Sequence, residues 1–183
     1  MSVVQNPAPV EQTVRLLRII VLAMLVGLAS FLAAALFLRA QAKVPAKDPA
    51  AAAGLKEPLP ALTVASYTFA MICVPLAYVV PRLVTESTVK KIAATPERPR
   101  GNVAPLAAAY ITQAIIGVAL NEGPAFMAIV AYLREGNVIA LFLAVALIAG
   151  VALRIPTLAG VSRWVDDQLT KVESLRRSAQ FGA

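Results

Sequence analysis

The unbroken apolar run from Ile19 to Leu38 most constrains the fold of this chain, with twenty residues and no charge. A helix of that length crosses about 30 Å of hydrocarbon. In lipid, only a helix or a closed barrel satisfies its own backbone. Three further apolar blocks follow, at about residues 61–80, 105–133 and 138–155. The chain is therefore expected to be an all-α, polytopic membrane protein. Residues 1–18 form an N-terminal segment, residues 19–156 a four-helix transmembrane domain, and residues 157–183 an amphipathic helix and tail. Charged residues make up 15% of the sequence, against roughly a quarter in soluble domains.

The segments between the blocks are equally telling. Ala40-Gln41-Ala42 has the form of a signal-peptide cleavage site, but the preceding run is longer than such peptides carry. A retained anchor is the reading. Ala40 to Pro60 is a Pro/Ala-rich spacer in which Ala50 to Lys56 alone suits a helical turn. The second block is the most polar, with Thr63, Ser66, Tyr67, Thr68, Cys73 and Tyr78, and Pro75 predicts a kink within it. Arg82 to Gly101 reads as a basic loop, where Lys90, Lys91, Arg98 and Arg100 suit topology or lipid headgroups. The third span starts near Pro105, and Arg134-Glu135-Gly136-Asn137 reads as a tight turn into the fourth, which stops near Pro156.

Beyond Thr157, Leu158, Val161, Val165, Leu169, Val172 and Leu175 recur at helical spacing. Asp167 with Lys171, and Glu173 with Arg177, are set for favourable i,i+4 pairs. Trp164 suits a membrane interface, and the stripe Trp164, Val165, Leu169, Val172 and Leu175 is the expected partner-contacting or membrane-surface face. Asp166 and Asp167 complement the dipole of the first turn and are not read as a metal site.

With four spans and a cytoplasmic N-terminus, twelve lysines and arginines fall inside and five outside. That bias places both termini in the cytoplasm, in an inner membrane. The net charge of +7 flanks the blocks and forms no single stripe, which argues against nucleic acid. The chain has no histidine and one cysteine, Cys73. No cofactor, metal or lone-chain enzyme is expected from such a set.

One residue stands apart. Glu122 is the single charged residue between Val103 and Leu133, and a charge at mid-membrane costs about 2.5–3.5 kcal/mol by insertion scales. It needs a partner, a proton or a use. At about 3.6 residues per turn, Ile115, Val118, Ala119, Ala125, Phe126 and Ile129 share its face, and Gln113, Gly117, Asn121 and Pro124 line the next. Pro124 predicts a second kink and frees the carbonyl of Leu120. Gln113 and Asn121 bring amides, and Gly117 permits close approach of another backbone. By the pairing of antiparallel helices, Tyr67, Ser66 and Thr68 fall near Glu122 as hydrogen-bond partners.

The stretch Ala119-Leu120-Asn121-Glu122-Gly123-Pro124-Ala125, followed by Ile129 to Leu133, resembles the carboxylate-bearing helix of rotary ATPase proteolipid (c-type) subunits. That resemblance implies an ion-carrying role for Glu122. In proteolipids the carboxylate lies on the second helix of a hairpin after a glycine-repeat helix; here it lies on the first. The whole chain looks more like small four-span bacterial membrane proteins of the kind seen in planctomycetes. It shares with them the Ile115–Gly123 stretch, the Tyr132–Gly136 turn and the basic-acidic C-terminal helix. That likeness implies a fold and no particular activity.

The expected function is a non-enzymatic structural or accessory subunit, with other membrane subunits or further copies of the chain as partners in the bilayer. The alternative is proton or cation translocation through Glu122, with Asn121 and Tyr67 beside it. Lipid or quinone binding is the third.

Overall fold

The computed structural model describes residues 8–41, 60–95 and 103–181. These form five helices and, among the described residues, no strand. They are α1 (Ala8–Gln41), α2 (Ala61–Ala94), α3 (Val103–Glu135), α4 (Val138–Ala152) and α5 (Leu158–Phe181). Helices α1, α2 and α3 are long and apolar enough to cross a membrane. The chain is a membrane protein.

Helix α3 is the hub, packed against α1, α2, α4 and α5. Its seams are built from small residues. Ala125, Ala128 and Ala131 of α3, Ala77 of α2 and Ala144 of α4 are fully or almost fully buried. Small side chains let helix backbones approach where lipid supplies no hydrophobic drive for association. The larger apolar chains point the other way: Met71 is 73% exposed and Phe142 71%. A water-soluble bundle would reverse that distribution.

Two cores result. The first joins α1 to α4 through Leu28, Val118, Ile129 and Val151, with Phe31 and Phe126 tilted together at 5.3 Å. The second lies at the other end of the long helices. There Val161, Val165 and Val172 of α5 pack on Val10 and Val14 of α1, Val89 of α2 and Leu106 of α3. The apolar stripe of α5 is therefore largely taken up by the chain itself. Of the expected interface residues, Val165 and Val172 are buried, Trp164 and Leu169 pack against them, and Leu175 stays 41% exposed. Most of the residues read as an outward stripe thus face inward.

The helices overrun the predicted spans. α1 starts at Ala8 instead of Ile19, and α2 continues through Pro81 to Ala94. Much of the predicted basic loop is thus helix, with Lys90 and Lys91 on its last turns. The overrun has a use, since those extra turns build the second core. Pro75 and Pro124 both lie inside continuous helices. α4 is apolar throughout but has 15 residues, a length of roughly 22 Å at 1.5 Å per residue. Arg98, Arg100 and most of the Pro/Ala-rich spacer lie outside the described residues.

The α3–α4 turn is chemically specified. Gly136 takes φ +69°, where a Cβ is disfavoured, and its amide closes on the Tyr132 carbonyl at 2.8 Å. Asn137 caps α4, its side-chain oxygen accepting from the Ile139 amide at 2.9 Å. The guanidinium of Arg39 lies against Gly136, in the space a side chain there would fill.

Candidate functional site

Four contacts fix the register of α2 against α3. Thr63 meets Glu135, Phe69 lies against Gly123, Ala77 is level with Gly117, and Thr85 reaches Gln113. Glu122 is thereby level with the Ala70–Cys73 turn. Tyr67, Ser66 and Thr68 lie about one helical turn away, toward the Glu135 end. They do not serve as its partners. The Ser66 hydroxyl donates to the Thr63 carbonyl at 2.8 Å and the Thr68 hydroxyl to the Val64 carbonyl at 3.0 Å. Tyr67 is 37% exposed and makes no hydrogen bond among the described residues.

Glu122 itself is half-buried on α3. Its carboxylate makes no hydrogen bond or ion pair among the described residues. The amides beside it diverge. Gln113 Oε1 accepts from the Thr85 hydroxyl at 2.7 Å, which also lies 2.9 Å from the Pro81 carbonyl. Asn121 is buried, with its side-chain oxygen unpartnered. The residues expected to form one polar site are therefore spread along α2 and α3.

A second locus lies nearer α5 and centres on Arg154, just past α4. Pro81 has no amide hydrogen, so the carbonyl four residues earlier, that of Ala77, is left without a helical donor. Arg154 Nη1 supplies one at 3.3 Å. The guanidinium also lies over the Tyr78 ring, 4.8 Å from its centroid, a favourable cation–π arrangement. Gly117 makes room, because a Cβ there would run into Nη1. Nη2 is buried and has no acceptor among the described residues. The sequence offered two signals for this site, a proline inside α2 and a glycine opposite it. Neither points to Arg154 without the fold.

At the opposite end, Glu135 acts as a helix cap borrowed from another helix. Pro60 precedes α2 and makes no side-chain cap. Glu135 Oε1 instead accepts from the Leu62 amide at 2.7 Å, and Oε2 from the Thr63 amide at 2.9 Å and the Thr63 hydroxyl at 2.6 Å. A carboxylate there satisfies free amides and faces the positive end of the helix dipole. Burial raises its pKa, but the Thr63 hydroxyl and the two amides lower it more. The carboxyl ends below its ordinary value.

Around α5, arginines tie down loose carbonyls. Arg176 donates to the Ile92 and Thr95 carbonyls at 3.2 and 3.1 Å, closing the end of α2. Arg18 donates to the Pro156 carbonyl at 3.0 Å. Trp164 meets Tyr110 edge-on at 5.1 Å. Glu173 and Arg177 form their expected pair at 3.8 Å; Asp167 and Lys171 do not pair. No known protein family, curated protein sequence or solved structure matches the chain.

Proposed function

We propose that the chain is a non-enzymatic, four-span inner-membrane protein that serves as a structural or accessory subunit of a larger membrane assembly. Both termini lie in the cytoplasm. The observation that carries this reading is Glu122, a carboxylate on a membrane-length helix that finds no partner among the described residues. Such a group is retained where another component provides a donor or a cation. The partner is another membrane subunit or a second copy of the chain. α4, prolonged through Leu153 to Ile155, forms the fourth span, and its antiparallel packing on α3 supports that role. The lysine and arginine bias supports the orientation.

The half-buried Glu122 carboxylate also supports a second reading, in which it carries a proton or cation as in the proteolipids it resembles. The amides of Gln113 and Asn121 do not converge on Glu122 among the described residues, so this reading comes second. The cavities around Arg154 and Trp164 are not lined by Glu122.

The mass and composition of the native particle after mild-detergent extraction tests both. Glu122→Leu is expected to release the chain from a larger particle, whereas Glu122→Gln, whose side-chain oxygen can still accept, retains it. A particle of unchanged mass in both variants removes Glu122 from the account. A ring of identical copies whose Glu122 reacts with carbodiimide in a pH-dependent way transfers the case to translocation.

A further inference from the structure

Arg154 is one of the residues lining a cavity of about 580 Å³ bounded by α2, α3, α4 and the start of α5, where Tyr78, Tyr110, Gln113, Leu153 and Trp164 also take part. Its Nη1 and its flat face are already engaged, by the Ala77 carbonyl and the Tyr78 ring. Nη2 is buried without an acceptor, and no carboxylate pairs with the guanidinium among the described residues. A buried cation with a free donor and no counter-charge is costly unless an anion completes it. The adjoining cavity, about 490 Å³, shares Gln113 and Trp164 and extends the lining to Arg82, Lys90 and Lys171, with Glu86 the opposing acid. The balance of charge around the two cavities is positive.

The outer wall is different in character. Leu153 is 88% exposed and Tyr78 58%, so the cavity mouth is edged by apolar surface beside the first core. The guanidinium fork of Arg154 suits the oxygens of a phosphate. An acyl chain fits the edge. We infer that this cavity binds the phosphate of an anionic phospholipid, with Arg154 as its anchor and Tyr78 and Leu153 along the hydrocarbon. The site is separate from Glu122 and stands whether or not the chain belongs to a larger assembly.

The test uses the full chain in mild detergent, offered mixed micelles of phosphatidylglycerol or phosphatidylcholine and followed by native mass spectrometry. Wild type is expected to retain phosphatidylglycerol at least about tenfold better, the order of effect of one charged hydrogen bond. Arg154→Gln is expected to lose that preference. Because Arg154 also holds the Ala77 carbonyl, a second variant is needed. Ala114→Leu places a larger side chain at the half-buried lining position 114 and leaves Arg154 intact; it is expected to lose the preference too. Inorganic phosphate separates the sources. Phosphate that stabilises wild type but not Arg154→Gln, with no lipid preference, identifies a free anion as the ligand. Retention of the lipid preference in Ala114→Leu overturns the site, as does a wild type indifferent to both probes.

Discussion

Arg154 Nη1 stands 3.3 Å from the carbonyl of Ala77, the acceptor that Pro81 strands inside α2. A residue at the end of the fourth apolar block thus completes the backbone of the second. The arrangement makes Pro81 and Arg154 energetically dependent. In the wild-type background, Arg154→Gln is expected to cost about 1–3 kcal/mol, the penalty for an unsatisfied buried acceptor. Pro81→Ala returns an amide to α2, so the same change should cost less than half as much there. Unfolding of the two single variants and the double variant measures the coupling. Strictly additive costs would show that the contact carries no energy.

Gly136 is required twice, by its φ of +69° and by the Arg39 guanidinium packed against it. Gly136→Ala is expected to lose about 1–2 kcal/mol from the backbone alone, with an added loss from displacing Arg39. In an Arg39→Ala background only the backbone part should remain. Denaturant unfolding separates the two, and a Gly136→Ala protein as stable as wild type would contradict both.

The Glu135 cap has a signed pH dependence. Its carboxyl is lowered in the folded chain, so the stability it contributes is present above the ordinary carboxylate range. That stability is lost as pH falls through the lowered value. Melting temperatures should therefore drop on acidification in wild type. In Glu135→Gln the melting temperature should start lower at neutral pH and fall less. Parallel melting curves for the two proteins across acid pH would exclude the cap as the source.

Val165 is fully buried against α1, α2 and α3. Val165→Asp would put an unpaired charge in that core, a change that costs several kcal/mol. α5 is expected to undock while the first core survives. Limited proteolysis reads this directly, with early cleavage within residues 158–181 and protection of α3. Cleavage at the wild-type rate would mean that α5 is held by something other than the second core.

What the sequence made legible follows from how local each signal is. The Arg134–Asn137 turn needs only its own glycine and cap, and it forms where the sequence puts it. The stripe on α5 was equally visible, but spacing alone does not say which surface a stripe meets. Val10, Val14, Val89 and Leu106, which cover it, come from three helices, and the overrun of α1 and α2 past their membrane-length blocks was unseen. The continuation of α2 through Pro81 was unseen for a related reason. A proline followed by basic residues ordinarily ends a helix, and here a distant arginine supplies the missing donor. Glu122 was recognisable from its charge alone. Its neighbours were not, because depth along α2 is set by the Thr63–Glu135 contact, about a turn away from the pairing the sequence suggested.

The second core also imposes an order on biosynthesis. Val10 and Val14 leave the ribosome before any other member of that core, and their fully buried counterparts Val161, Val165 and Val172 leave after every membrane-length helix has been made. Until then the first two turns of α1 have no α5 to cover them. The chain must insert its long helices with that surface uncovered by α5, and the second core closes only once the chain has been made through Val172.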